Sequence, residues 1–290
     1  MKFGGGLAAG LAAVVGLCLA AGTASAAGGG PETRCAGVAP QDERLAGAEA
    51  FVYAERGRPL RIHLLEPAHA AGRRPAALFF FGGGWRLGQV SQFLGQAQAL
   101  RDRGYVVALA DYRVACRDGT SPVDAVADAA RAYDWLLGHS AGLQIDRSRI
   151  VLAGGSAGGH LALMTALRAP AAARPAALVL FNPAVDLTGG LVRGATGLSD
   201  AQARAISPAL LDVGALPPTL VLHGEQDRLV PIATVRGFCA RAPDCRLISY
   251  PGQGHGFFNR RTTLEALGAS PYQATLDAML GFLDGALPPH

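Results

Sequence analysis

The sequence has few of the features that mark membrane-spanning, nucleic-acid-binding or metal proteins. Beyond its first 26 residues it has no apolar run long enough to cross a bilayer. Its arginines are scattered, no basic run is interleaved with aromatic residues, and the formal net charge is only +4, so nucleic-acid binding is poorly supported. There is no C-x-x-C pair and no H-E-x-x-H motif, which disfavours a metal site. We therefore expect neither a metal nor another cofactor, and no internal repeat is evident.

The amino terminus is typical of a secretory signal peptide. Lys2, the only lysine, precedes an apolar stretch of small residues from Leu7 to Ala20 and the cleavage pattern Ala24-Ser25-Ala26. We expect residues 1–26 to be removed on export, leaving a secreted or periplasmic protein without a stable membrane span. A membrane anchor is one alternative, although the run is short for a spanning helix. A lipoprotein formed through Cys18 is another, although the residue before it is bulky for that signal.

Four cysteines remain after the expected cleavage. They are Cys35, Cys116, Cys239 and Cys245. An even number in an exported chain predicts two disulfide bonds, and four cysteines allow three pairings. We favour Cys239 with Cys245, which joins the end of a helix to the next strand, and Cys35 with Cys116, which fastens the N-terminal arm to the domain.

Continuous apolar segments alternate with helical segments along most of the chain. The apolar segments are 76–81, 105–110, 150–153, 177–181, 219–222 and 246–250. The helical segments are 93–103, 122–137, 160–167, 232–240 and 272–283. Strands that are apolar throughout indicate a sheet covered on both faces. The alternation therefore predicts an α/β fold with a mostly parallel central sheet and helices on both sides.

Before this alternation, the sequence predicts an arm and a hairpin. Residues 27–49 lack strong periodicity and are expected to form an exposed N-terminal arm, followed by one catalytic domain over 50–290. Phe51–Tyr53 and Leu60–Leu65 are expected to pair about a turn at Arg56-Gly57.

One segment interrupts the alternation, and one helix has a clear start. Residues 185–213 contain one short helical piece near 199–206, and we expect this segment to form a small cap above the carboxyl ends of the strands. Ser121 followed by Pro122 predicts the N-cap and first turn of the helix over 122–137.

A candidate nucleophile stands between a predicted strand and a predicted helix. Gly154-Gly155-Ser156-Ala157-Gly158 matches G-x-S-x-G, and the strand before it and the helix after it are the setting of a nucleophile elbow. A sharp turn of this kind needs small flanking residues and holds the serine beside helix N–H groups. The motif predicts Ser156 as a nucleophile, and the alternative interpretation is a glycine-rich tight turn.

A serine nucleophile needs a base that takes its proton and an acid that orients the base. His255 is the candidate base, because it alone of the seven histidines lies on a glycine loop after the last strand. Asp227 follows the preceding strand, and the order Ser156, Asp227, His255 is that of α/β-hydrolases. Glu225 and Asp186 are rival acids.

The oxyanion formed by nucleophilic attack needs donors that are already in place. Gly82-Gly83-Gly84-Trp85 follows the first long apolar strand, and glycines let backbone N–H groups approach a substrate closely. The N–H of Ala157, the residue after the nucleophile, is expected to supply a further donor. Trp85 is expected to wall the substrate pocket, with plain packing as the alternative. Phe257 and Phe258, which follow the histidine, are expected either to line the acyl side of the substrate pocket or only to pack.

Four blocks of sequence together resemble the esterase and lipase branch of the α/β-hydrolase superfamily, which includes hormone-sensitive-lipase-like and acetyl-esterase-like enzymes. The blocks are Phe81-Gly82-Gly83-Gly84-Trp85, Asp111-Tyr112-Arg113, Gly154–Gly159, and Asp227 with His255. The resemblance runs from about Phe51 to Leu283. It implies an α/β-hydrolase fold, Gly83 and Gly84 as the oxyanion glycines, and a structural role for Asp111-Tyr112-Arg113.

Phe81 departs from the family pattern. The family usually has a histidine there, thought to brace the oxyanion loop by hydrogen bonds, so packing must hold the loop in this chain. The Phe-Gly-Gly-Gly-Trp variant is similar to secreted bacterial carbohydrate esterases and feruloyl-esterase-like domains. The prediction is a secreted serine esterase that cleaves short-acyl or carbohydrate-linked carboxylic esters through an acyl-enzyme on Ser156. A peptidase-like serine hydrolase and a non-catalytic binding module on this fold are the alternatives, and the oligomeric state stays open.

Overall fold

A computed structural model describes residues 35, 45–68, 72–261 and 268–287 of the 290-residue chain. The predicted signal peptide over 1–26 and nearly all of the predicted arm lie outside the described residues. The chain separates into two compact units, 1–36 and 37–290, and the elements below belong to the second. No helix in the described ranges combines the length and apolar character needed to cross a membrane.

The described residues form one eight-stranded sheet. Its strands are β1 (Glu49–Glu55), β2 (Pro59–Leu65), β3 (Arg74–Phe80), β4 (Val106–Ala110), β5 (Ile145–Gly155), β6 (Ala177–Phe181), β7 (Thr219–Gly224) and β8 (Cys245–Tyr250). Their order across the sheet is β1-β2-β4-β3-β5-β6-β7-β8. β1 and β2 form the predicted antiparallel hairpin, β2 is antiparallel to β4, and the remaining neighbours are parallel. The predicted mostly parallel sheet is therefore confirmed.

The helices in the described residues follow the strands as the alternation predicts. They are α1 (Leu94–Arg101), α2 (Ala115–Asp118), α3 (Pro122–His139), α4 (Ala157–Arg168), α5 (Gly190–Thr196), α6 (Asp200–Ala205), α7 (Ile232–Cys239) and α8 (Pro271–Ala286). The five long predicted helices are confirmed with small shifts at their ends. The sequence analysis missed α2, because a single turn of four residues shows no periodicity.

The core lies on both sides of the sheet. Every residue of β4, β6 and β7 is buried, as expected for parallel strands covered by helices on both faces. In β1, at the sheet edge, every residue is exposed or partly buried. The predicted start of α3 is confirmed, since the carboxylate of Asp124 accepts hydrogen bonds from the N–H and hydroxyl of Ser121 at 3.0 and 2.8 Å.

Two of the predicted connections can be compared with the structure. Cys239 and Cys245 form a disulfide bond between the end of α7 and the start of β8, as predicted. Cys35 and Cys116 are also disulfide-bonded, and their pairing with one another stays a prediction. The segment 185–213 carries α5, α6 and a 3-10 turn at Pro208–Leu210, where the sequence predicted one helical piece. Its role as a cap stays a prediction.

Candidate active site

Ser156 occupies the sharp turn between β5 and α4. Its φ of 53° and ψ of −116° lie in a region that residues other than glycine rarely adopt. A Cβ at position 158 would lie 2.0 Å from the carbonyl oxygen of Phe80, and one at position 154 would lie 2.5 Å from the backbone of Gly158. These close approaches explain why glycine stands at both ends of the G-x-S-x-G motif.

Three loops at the carboxyl edge of the sheet bring Ser156, Asp227 and His255 together. Nε2 of His255 lies 2.9 Å from Oγ of Ser156, although the two residues are 99 positions apart in sequence. Nδ1 of His255 lies 2.7 Å from Oδ2 of Asp227. The contacts form a continuous chain from hydroxyl to imidazole to carboxylate, which is the geometry of an activated nucleophile with an oriented base.

Asp227 is held as a carboxylate that orients the imidazole. Its Oδ1 accepts hydrogen bonds from the N–H groups of Leu229 and Val230, each at 2.9 Å. Burial acts to raise the pKa of Asp227, but the hydrogen bonds from His255 and from the backbone outweigh burial and lower it. An ionised acid favours the tautomer of His255 with its proton on Nδ1, which leaves Nε2 as an acceptor for the Ser156 hydroxyl.

The two rival acids have other partners. Oε1 of Glu225 accepts a hydrogen bond from the Ser249 hydroxyl at 2.8 Å. Oδ1 of Asp186 accepts from the N–H and hydroxyl of Thr188, two residues further along the chain. Of the three candidate acids, Asp227 is the one that contacts the imidazole of His255.

Aromatic packing and hydrogen bonds hold the glycine loop after β3. The ring of Phe81 stacks on that of Tyr112 with centroids 4.0 Å apart and an interplanar angle of 14°. The Tyr112 hydroxyl donates to the carbonyl oxygen of Phe81 at 2.7 Å. The N–H of Gly82 donates to Oε1 of Gln92 at 2.6 Å. Packing by Phe81 is thus joined by a hydrogen bond from Tyr112, which belongs to the block expected to have a structural role, and by one to Gln92, which the sequence analysis did not foresee.

The residues of this loop adopt backbone conformations that suit glycine. Gly83 has a φ of 130° and Gly84 one of 64°. A Cβ at position 83 would lie 2.0 Å from the carbonyl oxygen of Leu87. Within the described part of the chain, the N–H groups of Gly83, Gly84 and Ala157 have no hydrogen-bond acceptor. Their role as oxyanion donors stays a prediction.

The Asp111-Tyr112-Arg113 block, which follows β4, is fixed by hydrogen bonds and ion pairs. Oδ1 of Asp111 accepts from the N–H of Tyr112 at 2.8 Å and from Arg117 at 3.0 Å. Arg113 makes two bonds to the fully buried carboxylate of Asp128, at 2.8 and 2.9 Å. These contacts fix Tyr112 beneath Phe81, so the block acts structurally, through the loop that it supports.

Trp85 is mostly buried. Only 5% of it is exposed, and its ring meets that of His160 edge to face with centroids 5.1 Å apart. His160 lies on α4, and its Nε2 hydrogen-bonds the carbonyl oxygen of Ile206 at 2.6 Å. Burial lowers the pKa of His160 to about 4, so its ring is neutral near pH 7. The proposed part of Trp85 in walling a substrate pocket stays a prediction.

The two phenylalanines after His255 pack into the core. Phe257 and Phe258 are both buried, and the ring of Phe258 stacks on Phe93 with centroids 5.5 Å apart. A Cβ at position 155 would lie 2.7 Å from the ring of Phe258. The packing therefore explains a further glycine beside the nucleophile.

Asn182 also reaches the site, and the sequence analysis missed it. It directly follows β6, is fully buried, and places its amide nitrogen 3.4 Å from Nε2 of His255. A polar residue immediately after a buried parallel strand is the signal that points to it, because ligand sites gather at the carboxyl ends of such strands.

Comparisons with known proteins relate this chain to esterases. The family model described as BD-FAE matches residues 62–178. The chain is 34% identical over 116 residues to Probable isoprenylcysteine alpha-carbonyl methylesterase ICMEL1 of Arabidopsis thaliana, covering 40% of this chain and 24% of that protein. It is 30% identical over 224 residues to Probable carboxylic ester hydrolase LipM of Mycobacterium tuberculosis, covering 64% of this chain and 49% of that protein. The match thus spans about a quarter of the length of the first relative and about half of the length of the second.

A solved structure is similar over nearly its whole length. The propionate-bound esterase Est2 of Thermogutta terrifontis is 35% identical, with a TM-score of 0.73, and the match covers 86% of this chain and 98% of that one. Esterase 2 of the same bacterium has also been solved phosphorylated by paraoxon. That structure is 34% identical to this chain with a TM-score of 0.74, and the match covers 87% of this chain and 100% of the esterase.

Proposed function

This chain belongs to the esterase and lipase family of α/β-hydrolases, and from that membership we propose that it is a serine esterase that hydrolyses carboxylic esters through an acyl-enzyme on Ser156. The observation that carries the proposal is the contact chain of Ser156, His255 and Asp227, with distances of 2.9 and 2.7 Å. Short contacts of this kind allow the hydroxyl proton to leave as the new bond forms.

In the proposed first half-reaction, Oγ of Ser156 attacks the ester carbonyl carbon while its proton moves to Nε2 of His255. The negative charge on the former carbonyl oxygen is stabilised by the N–H groups of Gly83, Gly84 and Ala157. When this intermediate collapses, the bond to the alcohol oxygen breaks and His255 gives its proton to that oxygen. The alcohol leaves, and the acyl group stays on Ser156.

In the second half-reaction, water replaces the alcohol. His255 takes a proton from water as the water oxygen attacks the acyl carbon, and the same three N–H groups stabilise the charge. Collapse breaks the bond to Ser156, which regains its proton from His255, and the carboxylic acid leaves. Asp227 remains ionised throughout and stabilises the imidazolium.

For the substrate we propose a short-acyl or carbohydrate-linked ester. The similar Thermogutta esterase has been solved with propionate and with butyrate bound, which supports a short acyl group here. Trp85 next to the glycine loop is proposed to limit the acyl side. The segment 185–213 is proposed to cap the site and so to contribute to the choice of alcohol.

We further propose that the protein acts outside the cytoplasm. The leader pattern over 1–26 supports export. The four disulfide-bonded cysteines, Cys35, Cys116, Cys239 and Cys245, support an oxidising compartment.

The test is hydrolysis of p-nitrophenyl acetate by the parent and by Ser156→Ala. The variant is expected to lose about three or more orders of magnitude in kcat. Ser148→Ala is the matched control, because Ser148 lies on β5, the strand that leads into the Ser156 turn, is exposed, and donates a hydrogen bond to Asp146. Equal rates for Ser156→Ala and the parent would contradict the proposal.

A second measurement addresses the substrate class. Esters of increasing acyl length are compared with acetylated xylan and feruloyl esters. We expect the highest kcat/KM for short acyl groups, and a clear preference for long chains would contradict that part of the proposal.

A further inference from the structure

The segment that follows β6 is fastened to the nucleophile turn through the backbone. The N–H of Ser156 donates to the carbonyl oxygen of Phe181 at 2.8 Å, and the N–H of Ala184 donates to the carbonyl oxygen of Ser156 at 3.2 Å. Between these two bonds lies Asn182, whose own N–H donates to the carbonyl oxygen of Leu222 at 2.8 Å. The position of Asn182 is therefore fixed relative to Ser156.

The side chain of Asn182 reaches from this segment to the histidine loop. Its Oδ1 accepts a hydrogen bond from the N–H of Gly256 at 3.2 Å, and its Nδ2 lies 3.4 Å from Nε2 of His255. A backbone N–H can only donate, so it assigns the oxygen of the amide to the side of Gly256. The NH₂ group must then face the imidazole.

The protonation of the imidazole completes the assignment. Nδ1 of His255 faces the ionised carboxylate of Asp227 at 2.7 Å and carries the ring proton. Nε2 is therefore an acceptor in the resting state, and it faces two donors, the hydroxyl of Ser156 and the amide of Asn182. When Nε2 takes the proton of Ser156, its N–H faces the NH₂ group and the amide contact becomes unfavourable.

We propose that Asn182 is a positioning residue that sets the place of the His255 ring over Ser156. The inference rests on the proposed function, because it concerns the base of that reaction. Through its backbone Asn182 is tied to the nucleophile turn, and through its amide it is tied to the histidine loop. It thereby fixes the spacing of two groups that are 99 residues apart in sequence.

A plain backbone role is the competing explanation. Asn182 has a φ of 37°, and asparagine is one of the few residues other than glycine that adopt positive φ readily. Asn182→Gly separates the two explanations, because glycine keeps the backbone conformation and removes the amide. Asn182→Asp keeps an acceptor for the N–H of Gly256 and places a carboxylate oxygen towards Nε2 in place of the donor.

The chain offers a matched control in its only other asparagine. Asn259 lies on the same loop as His255, is exposed, and donates through Nδ2 to the carbonyl oxygen of Gly256 at 3.3 Å. Asn259→Gly and Asn259→Asp therefore make the same chemical changes close to the histidine loop without touching the face of the ring that meets Ser156.

The experiment measures kcat and KM for p-nitrophenyl acetate across pH, with thermal unfolding as a check of folding. We expect Asn182→Gly to lower kcat about 10-fold, because the loss of ring position over Ser156 outweighs the relief of the amide contact in the protonated state, while KM stays within about twofold of the parent. The acid limb of the kcat/KM profile moves to higher pH in Asn182→Gly, and further, by about one pH unit, in Asn182→Asp, because a carboxylate favours the protonated ring. The Asn259 variants keep the profile of the parent.

The outcomes separate this inference from the proposed function. If Asn182→Gly has the kcat and acid limb of an active parent, Asn182 has only a backbone role and the inference is wrong. If Asn182→Gly does not fold, Asn182→Asp decides, since aspartate also tolerates positive φ, and an unmoved acid limb in that variant overturns the inference. A parent that hydrolyses no ester contradicts the proposed function itself.

Discussion

Replacing Tyr112 by phenylalanine removes a single hydroxyl beneath the glycine loop and leaves the aromatic stack with Phe81 in place. The hydroxyl donates to the carbonyl oxygen of Phe81 at 2.7 Å, and Tyr112 is fully buried. Burial raises the pKa of Tyr112 well above its ordinary value, so the hydroxyl is a protonated donor at any working pH. In Tyr112→Phe, the carbonyl of Phe81 loses this partner.

The size of the effect follows from the burial of that carbonyl. Leaving a buried acceptor without its partner costs about 1–3 kcal/mol of the free energy of unfolding. In a chain of this size, each kcal/mol lowers the thermal midpoint by about 2–4 °C. Phe81 lies two residues before Gly83, so the loosened loop also holds the oxyanion less well. We expect kcat to fall about 10-fold, less than the about 100-fold that follows the loss of a complete oxyanion donor.

A second tyrosine provides the matched control. The hydroxyl of Tyr133, on α3, donates to the carbonyl oxygen of Ala173 at 2.7 Å, and Tyr133 is 2% exposed. Tyr133→Phe is expected to lose a similar amount of stability while keeping the kcat of the parent. The assay combines thermal unfolding with ester hydrolysis well below either midpoint. If the two variants had the same kcat, Tyr112 would have no role in the loop and the reasoning would be refuted.

Two further predictions concern the acid of the site and the buried histidine. Asp227→Asn is expected to lower kcat about 10⁴-fold, whereas Glu225→Gln stays near the parent in the same assay, and equal losses would refute the assignment of the acid. The pKa of His160 is lowered to about 4, so between about pH 6.5 and 4 the unfolded chain binds a proton that the folded chain does not. The contribution of His160 to the free energy of unfolding therefore falls as the pH is lowered through this window, by up to about 1.4 kcal/mol per pH unit, and falls no further below it. Denaturant unfolding at several pH values is expected to show a smaller loss in His160→Gln, and an equal loss in both proteins would contradict this account.

The sequence predicted those parts of the fold that depend on local pattern. Apolar runs such as those of β4, β6 and β7 are buried on both faces, so their composition alone indicates a covered sheet. The glycines around Ser156 could be predicted for a similar reason. Backbone segments approach one another so closely in this turn that a side chain is excluded wherever the turn occurs.

Other parts depend on contacts between distant segments and could not be predicted in this way. The bonds of Tyr112 to Phe81 and of Asn182 to Gly256 join residues 31 and 74 positions apart. Such contacts depend on where each loop turns after its strand, and periodicity carries no information on that. The short helix α5 was missed because a few residues that begin at glycine show no apolar face.

Covalent labelling of Ser156 tests the central claim most directly. The purified protein is treated with paraoxon, the compound that phosphorylates the similar Thermogutta esterase 2, and the adduct is located by intact mass and peptide mapping. The account predicts one adduct, on the peptide that contains Ser156, with loss of ester hydrolysis in proportion to labelling and no adduct in Ser156→Ala. Hydrolysis that persists after complete labelling of Ser156, or an inactivating adduct on another residue, would contradict it.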